Sequence, residues 1–168
     1  SLGFIFGQDA FNLAEVNSFD RLFALPYNKS LDTAGSITAT VSFLSPAILL
    51  AAPVEDYWKI GLSYGETMLL AYGAKELTKH LVNRPRPYMY FEGASQQEIE
   101  SGDWDDSFVS GHTTLSFAAA TFTSFVFCQY FPNSPWKIPI IATSFTLAAV
   151  TAGLRIASGN HFITDVLA

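Results

Sequence analysis

The sequence predicts an all-α protein, a bundle of apolar helices embedded in a membrane. Three observations carry this reading. Long windows contain no charged residue, Pro and Asn clusters punctuate them at helix-length intervals, and no alternating β-branched run competes with the helical pattern. Hydrophobic residues make up 49% of the 168-residue chain and charged residues only 14%, against about 25% charged in a typical soluble domain. The length suits one domain. A formal charge of −6 argues against nucleic-acid binding, and the single cysteine, Cys128, excludes an internal disulfide framework or cysteine-cluster metal site. An aromatic content of 15% excludes disorder.

Residues 1–33 mix aromatic and acidic side chains and form an N-terminal segment with one expected amphipathic helix around Ala10–Phe23. Residues 34–168 form the helical core. No Asp, Glu, Lys or Arg occurs from Thr33 to Val54, from Ser107 to Trp136 or from Ile138 to Leu154. A spanning helix needs about 20 mainly apolar residues, so segments near 34–54, 113–131 and 138–154 qualify. Ile60 to Leu77 is a fourth apolar segment, carrying Glu66 and Lys75, and another opens near His161. The competing reading, a soluble bundle, requires a charged outer stripe that TTLSFAAATFTSFVFCQYF lacks. Its hydroxyl and small residues suit helix contact inside a bilayer.

Pro53 with the Glu55–Lys59 cluster, and Pro132 to Lys137, form short joints that make their flanking helices antiparallel neighbours. The connection from Asn83 to Ser110 is long enough to imply a function. It holds Arg84-Pro85-Arg86-Pro87 and then the acids Glu92, Glu98, Glu100, Asp103, Asp105 and Asp106, expected to keep the loop solvated.

The scarce cations are informative. Lys79 and Arg86 sit at one helix end, Ser110-Gly111-His112 opens the charge-free third segment, and Arg155 precedes His161 and Asp165. With a helix starting near His161, Asp165 is its i+4 neighbour and can hydrogen-bond one imidazole nitrogen, leaving the other lone pair free. Small residues at a helix start leave backbone N–H groups for an anion. Lys79, Arg86 and Arg155 can surround an oxyanion, which points to phosphoryl transfer. Each element alone has a plainer reading, as an interfacial anchor or a local hydrogen bond. Their combination and order are specific.

That order resembles the type 2 phosphatidic acid phosphatase (PAP2) superfamily, through KHLVNRPRP at Lys79–Pro87, SFVSGHTT at Ser107–Thr114 and LRIASGNHFITD at Leu154–Asp165. Val109 and Leu154 depart from it, standing where proline and serine are usual. The resemblance implies a membrane phosphatase acting on a lipid or polyprenyl phosphate or diphosphate through a phosphohistidine. His161 would be the nucleophile, Asp165 its orienting partner and His112 the acid and base. Lys79, Arg86, Ser110, Gly111 and Arg155 would bind phosphate. It implies no metal or other cofactor. His80 belongs to no motif, and Arg84 reads as a loop charge. Related activities of the same superfamily are a soluble periplasmic acid phosphatase and a vanadate-dependent haloperoxidase.

The links 79–111 and 155–161 fall at one end of the bundle, and 55–59 and 132–137 at the other, as convergence of the motifs requires. By resemblance the motif-bearing face is extracytoplasmic. Further spans are expected before residue 1 and after His161.

Overall fold

The computed structural model describes residues 11–92, 100 and 102–168. Glu98 and part of the expected N-terminal helix lie outside them. The described residues form helices α1 (Ser18–Arg21), α2 (Lys29–Phe43), α3 (Tyr57–Leu81), α4 (Gly111–Tyr130), α5 (Lys137–Ala157) and α6 (Ile163–Leu167), with short 3₁₀ turns between them. No strand occurs among these residues; one isolated bridge joins Arg84 and Asp106.

The expected amphipathic helix is replaced, over residues 11–23, by a 3₁₀ turn at Leu13–Glu15 and the single turn of α1. The reason is local. Asn12 and Asn17 each accept a backbone N–H through their side chains, so each starts a new short helix instead of continuing one. Asn28 likewise caps α2, which begins before the predicted apolar segment; the expected division between residues 33 and 34 therefore falls inside this helix. The first apolar segment is α-helical only to Phe43 and continues as a 3₁₀ turn from Ser45 to Ala51, with Pro46 at its start.

Helix α4 is the hub, packing against α2, α3 and α5, while α2 also packs on α5. Its contact face explains why so close a fit is possible. Ser116, Ala119, Ala120 and Thr123 of α4 and Ser144, Ala148, Thr151 and Ala152 of α5 are all buried, and small side chains let helix backbones approach. Thr151 donates to the Thr38 hydroxyl of α2 at 3.0 Å, and Ser45 and Thr123 are 2.9 Å apart. A larger apolar cluster of Leu49, Phe122 and Phe127 closes the end of the bundle away from the motifs.

The outer surface is apolar. Leu62, Leu69, Leu70, Leu77 and Leu81 of α3 are each more than half exposed, as are Phe125 of α4 and Ile138 of α5. Two helical stretches, Lys29–Ala51 and Lys137–Ala157, are long and apolar enough to cross a membrane. Trp58 and Trp136 are both exposed at the joints near 55–59 and 132–137, a position suited to a membrane–water boundary.

One glycine is required by the backbone. Gly159 has φ of +76°, and a Cβ there would lie 2.5 Å from the Leu25 carbonyl oxygen and 2.6 Å from that of Pro26. Its neighbour Ser158 accepts the Asn28 N–H through its carbonyl at 3.0 Å, so this turn is pressed against the strand-like entry to α2. Gly159→Ala is expected to destabilise the fold by about 1–2 kcal/mol from the left-handed backbone alone, and further through the carbonyl contacts. A thermal melt in detergent checks this; an unchanged midpoint would contradict it.

Candidate active site

The motif segments are joined by main-chain hydrogen bonds before any side chain is considered. Arg84 and Arg86 donate their N–H groups to the carbonyls of Asp105 and Trp104, both at 2.8 Å, and Ser107 N–H returns to the Arg84 carbonyl at 3.0 Å. Tyr88 N–H reaches the Gly159 carbonyl at 3.1 Å, and Ser110 N–H reaches that of Asp165 at 2.8 Å. The acidic stretch 103–106 thus does more than stay solvated. Its carbonyls hold the Arg84–Arg86 segment, and its Asp103 carbonyl also accepts the Arg86 Nε–H at 2.6 Å.

These joints surround a cavity of about 550 Å³ at the motif end of the bundle. Lys79, Arg86, Gly111, His112, Arg155 and His161 all line it, so six of the eight residues expected to form a site are brought together. Arg155 reaches it from the last turn of α5, Lys79 from the end of α3, and Gly111 and His112 from the first turn of α4. A side chain at Gly111 would collide with the Lys75 stem, whose Cδ would lie 2.9 Å from the added Cβ.

Ser110 and Asp165 do not line the cavity. Ser110 is fully buried behind it, and its hydroxyl accepts a hydrogen bond from Thr113 at 2.9 Å. Its backbone N–H is held by the Asp165 carbonyl.

Asp165 sits behind His161, with its Oδ2 4.0 Å from Nδ1, too far for the expected hydrogen bond. The spacing argument assumed that both residues share one helix, but His161 precedes α6, which begins at Ile163. The Asp165 carboxylate instead accepts the Phe162 N–H at 2.7 Å and the Ser107 hydroxyl at 2.5 Å. The orienting partner of His161 is the Ser107 carbonyl, 2.7 Å from Nδ1. A carbonyl only accepts, so Nδ1 carries the proton and Nε2 keeps its lone pair. Burial, followed by the charges of Arg86 and Arg155, holds His161 well below its ordinary pKa. The ring is therefore neutral at neutral pH.

His112 lies in the first turn of α4, just before the expected spanning segment 113–131. Its Nε2 is 3.4 Å from the Ser36 hydroxyl. Burial, and then the nearby Arg155 charge, push its pKa down to about 4.

Six polar cavity residues escaped the sequence reading: Asp32, Ser36, Thr40, Lys75, Asp103 and Asn160. Asp32 pairs with Arg155, and also accepts from Asn160 at 3.0 Å and from the Tyr27 hydroxyl at 2.9 Å. Asn160 Oδ1 accepts from Arg86 at 3.0 Å, so one carboxylate and one amide fix both guanidinium groups. Asn160 lies inside the third motif, where proximity was a signal. Asp32 had none, since the two cavity partners it holds, Arg155 and Asn160, lie more than 120 residues away. The buried Nε of Arg155 makes no hydrogen bond with any described residue and remains a free donor. Lys79 approaches Asp106 at 3.7 Å. His80 is exposed and takes no part.

Taken together, the cavity offers positive charge, a first-turn helix N-terminus, one imidazole with a free lone pair and a second imidazole. That set can bind a multiply charged oxyanion and transfer it.

Comparisons with known proteins agree with this geometry. Residues 60–168 match the family model described as PAP2 superfamily. Among solved structures, the chain is similar to a transmembrane PAP2-type phosphatidylglycerolphosphate phosphatase from Bacillus subtilis. The two share 20% identity with a TM-score of 0.55, over 89% of this chain and 74% of that one. No curated protein matches the sequence significantly.

Proposed function

Because the chain belongs to the PAP2 superfamily, we propose that it is a membrane phosphatase that hydrolyses a lipid or polyprenyl phosphate or diphosphate through a phosphohistidine. The observation that carries this reading is the single cavity in which Lys79, Arg86, Arg155, His112 and His161 converge.

In the proposed first step, the Nε2 lone pair of His161 attacks phosphorus as the bond to the leaving oxygen breaks. Arg86, Arg155, Lys79 and the first-turn N–H groups at Gly111 hold the equatorial oxygens, where phosphoryl-transfer charge is spread. His112 delivers a proton to the leaving oxygen. Nδ1 retains its proton against the Ser107 carbonyl, so the phosphorylated ring becomes cationic, with the Asp165 carboxylate 4.0 Å away. In the second step His112 takes a proton from water, the water oxygen bonds to phosphorus, and the P–N bond breaks to return neutral His161.

Two features favour an amphiphilic substrate. Along α2 the cavity wall passes from Asp32 and Ser36 through Ala39 and Thr40 to Phe43, joined by Leu115 of α4, so it becomes less polar away from Asp32. The exposed leucines of α3 and the two helical stretches of spanning length suit a bilayer. On the family resemblance, the site faces the extracytoplasmic side.

A phosphate-release screen across phosphatidate, phosphatidylglycerol phosphate, polyprenyl diphosphate and soluble esters tests the proposal. The expected result is preferential release from a lipid-linked phosphate, by protein that stays with membranes after carbonate washing. Activity confined to soluble esters, from protein removed by the wash, would support a soluble acid phosphatase instead. Halide oxidation with added vanadate and peroxide, without phosphate release, would overturn the phosphatase reading.

A further inference from the structure

Arg84 is not used in any step above, yet its guanidinium is held by three described side chains, Asp20, Thr164 and Asp165. Its Nη2 donates to Asp20 Oδ2 at 2.7 Å, and its Nη1 donates to the Thr164 hydroxyl at 2.8 Å and to Asp165 Oδ1. Its guanidinium also lies 4.3 Å from the ring centre of Phe162, the residue that follows His161. Asp20, on α1, is fully buried and reaches the same loop independently. It accepts the Thr164 N–H at 3.0 Å and the Thr164 hydroxyl at 2.7 Å, while Asn17 donates to it at 2.6 Å.

We propose that Asp20 and Arg84 are positioning residues that act through Asp165, keeping one net negative charge behind His161 to match the cationic phosphohistidine. The inference rests on the reading of His161 as nucleophile.

The physical need is specific. A carboxylate buried as deeply as Asp165 tends toward its neutral form unless a cation or donors hold it ionised. Arg84 supplies that cation on Oδ1, while Oδ2 faces the Phe162 N–H, the Ser107 hydroxyl and, at 4.0 Å, His161. Arg84 alone would cancel the charge that the phosphorylated ring requires. Asp20 removes that cancellation, because two carboxylates around one guanidinium leave a single negative charge. Hydrogen bonding from Arg84, Thr164 and Asn17 outweighs the effect of burial and holds the Asp20 carboxyl below its usual range, so it is ionised. Asp20 lies outside the stretch matched by the family model, which starts at residue 60. The charge balance therefore comes from the N-terminal part of this chain.

The test uses the full chain in detergent with phosphatidate as substrate. Asp20→Asn keeps the shape and an acceptor oxygen but leaves the pair behind His161 neutral. Its kcat is expected to fall about 10- to 100-fold, the size of one unit charge at this range in a partly screened interior. KM should change less than threefold, because Asp20 does not line the cavity. Combining Asp20→Asn with Arg84→Gln removes one charge of each sign; with the Phe162 N–H and the Ser107 hydroxyl still on Oδ2 of Asp165, the single negative charge stays there, and kcat should recover to within a few-fold of the parent. A purely structural role predicts that the double variant is worse than either single one. Arg84→Lys keeps the charge balance and should retain most of kcat, which serves if Asp20→Asn melts below assay temperature. An impaired double variant, an effect on KM alone, or an Arg84→Lys variant as poor as Arg84→Gln would overturn the inference. Failure of the phosphatase reading is distinguishable, since it appears as no phosphate release in the parent chain.

Discussion

Replacing His161 with alanine is expected to lower phosphate release by about 10⁴-fold or more, because the step that forms the covalent intermediate disappears. The residue is fully enclosed, with a free Nε2 and an Nδ1–H fixed by a main-chain carbonyl. The other neutral imidazole on the cavity wall, His112, is the one assigned to proton transfer. His112 is held at the other wall by Ser36, and the remaining polar groups there are cations, carboxylates, hydroxyls and an amide. Rapid quenching with labelled substrate should trap acid-labile phosphate on the parent chain and none on His161→Ala. An undiminished turnover rate in the folded variant would refute the covalent route. The cations should still bind product, so inorganic phosphate should protect both proteins against heat to a similar extent.

Replacing His112 with alanine is the second large effect, a loss of about 10²–10⁴-fold for a poor leaving group such as an alkoxide. With a nitrophenyl ester, whose leaving oxygen needs little protonation, the loss should shrink markedly. The pH profile follows from the two depressed histidines. A pKa near 4 leaves His112 neutral across the neutral range before substrate arrives, with its acid form growing scarcer as pH rises. Bound phosphate opposes the neighbouring cations and raises that acid form, and a singly protonated phosphate brings its own proton below its second pKa of about 6. His161 must be neutral, and its depressed pKa keeps it so well into the acid range. Activity should therefore fall as pH rises above neutrality and persist on the acid side below pH 6. A profile that instead falls steeply below pH 7 would contradict the assigned protonation states.

Both predictions depend on features that differ in how visible they were. The helices could be read because their signals are local: charge-free windows of spanning length, and asparagine or proline at the joints. The exceptions were local too, where Asn12 and Asn17 broke the expected N-terminal helix into two turns. The residues in the three motifs were also legible, because their type and order carry chemistry regardless of fold.

The partners of those residues were not legible. The spacing of His161 and Asp165 suggested a direct hydrogen bond, yet the turn before α6 puts them 4.0 Å apart and gives the imidazole to Ser107, 54 residues away. Ser110 belonged to a plausible anion site and instead packs behind it. Arg84 resembled a loop charge until its bonds to Asp20 and Asp165, 64 and 81 residues distant, came into view.

The sequence by itself therefore determined the helical, charge-poor scaffold and which cations and histidines line one cavity. The tertiary structure alone decided which nitrogen of His161 is free, which carboxylates balance the arginines, and that the N-terminal segment belongs to the site. The physical reason is range. Helix periodicity and capping act within a few residues, whereas a buried charge is compensated by whichever group the packed helices bring within hydrogen-bond distance, and no spacing rule records that encounter.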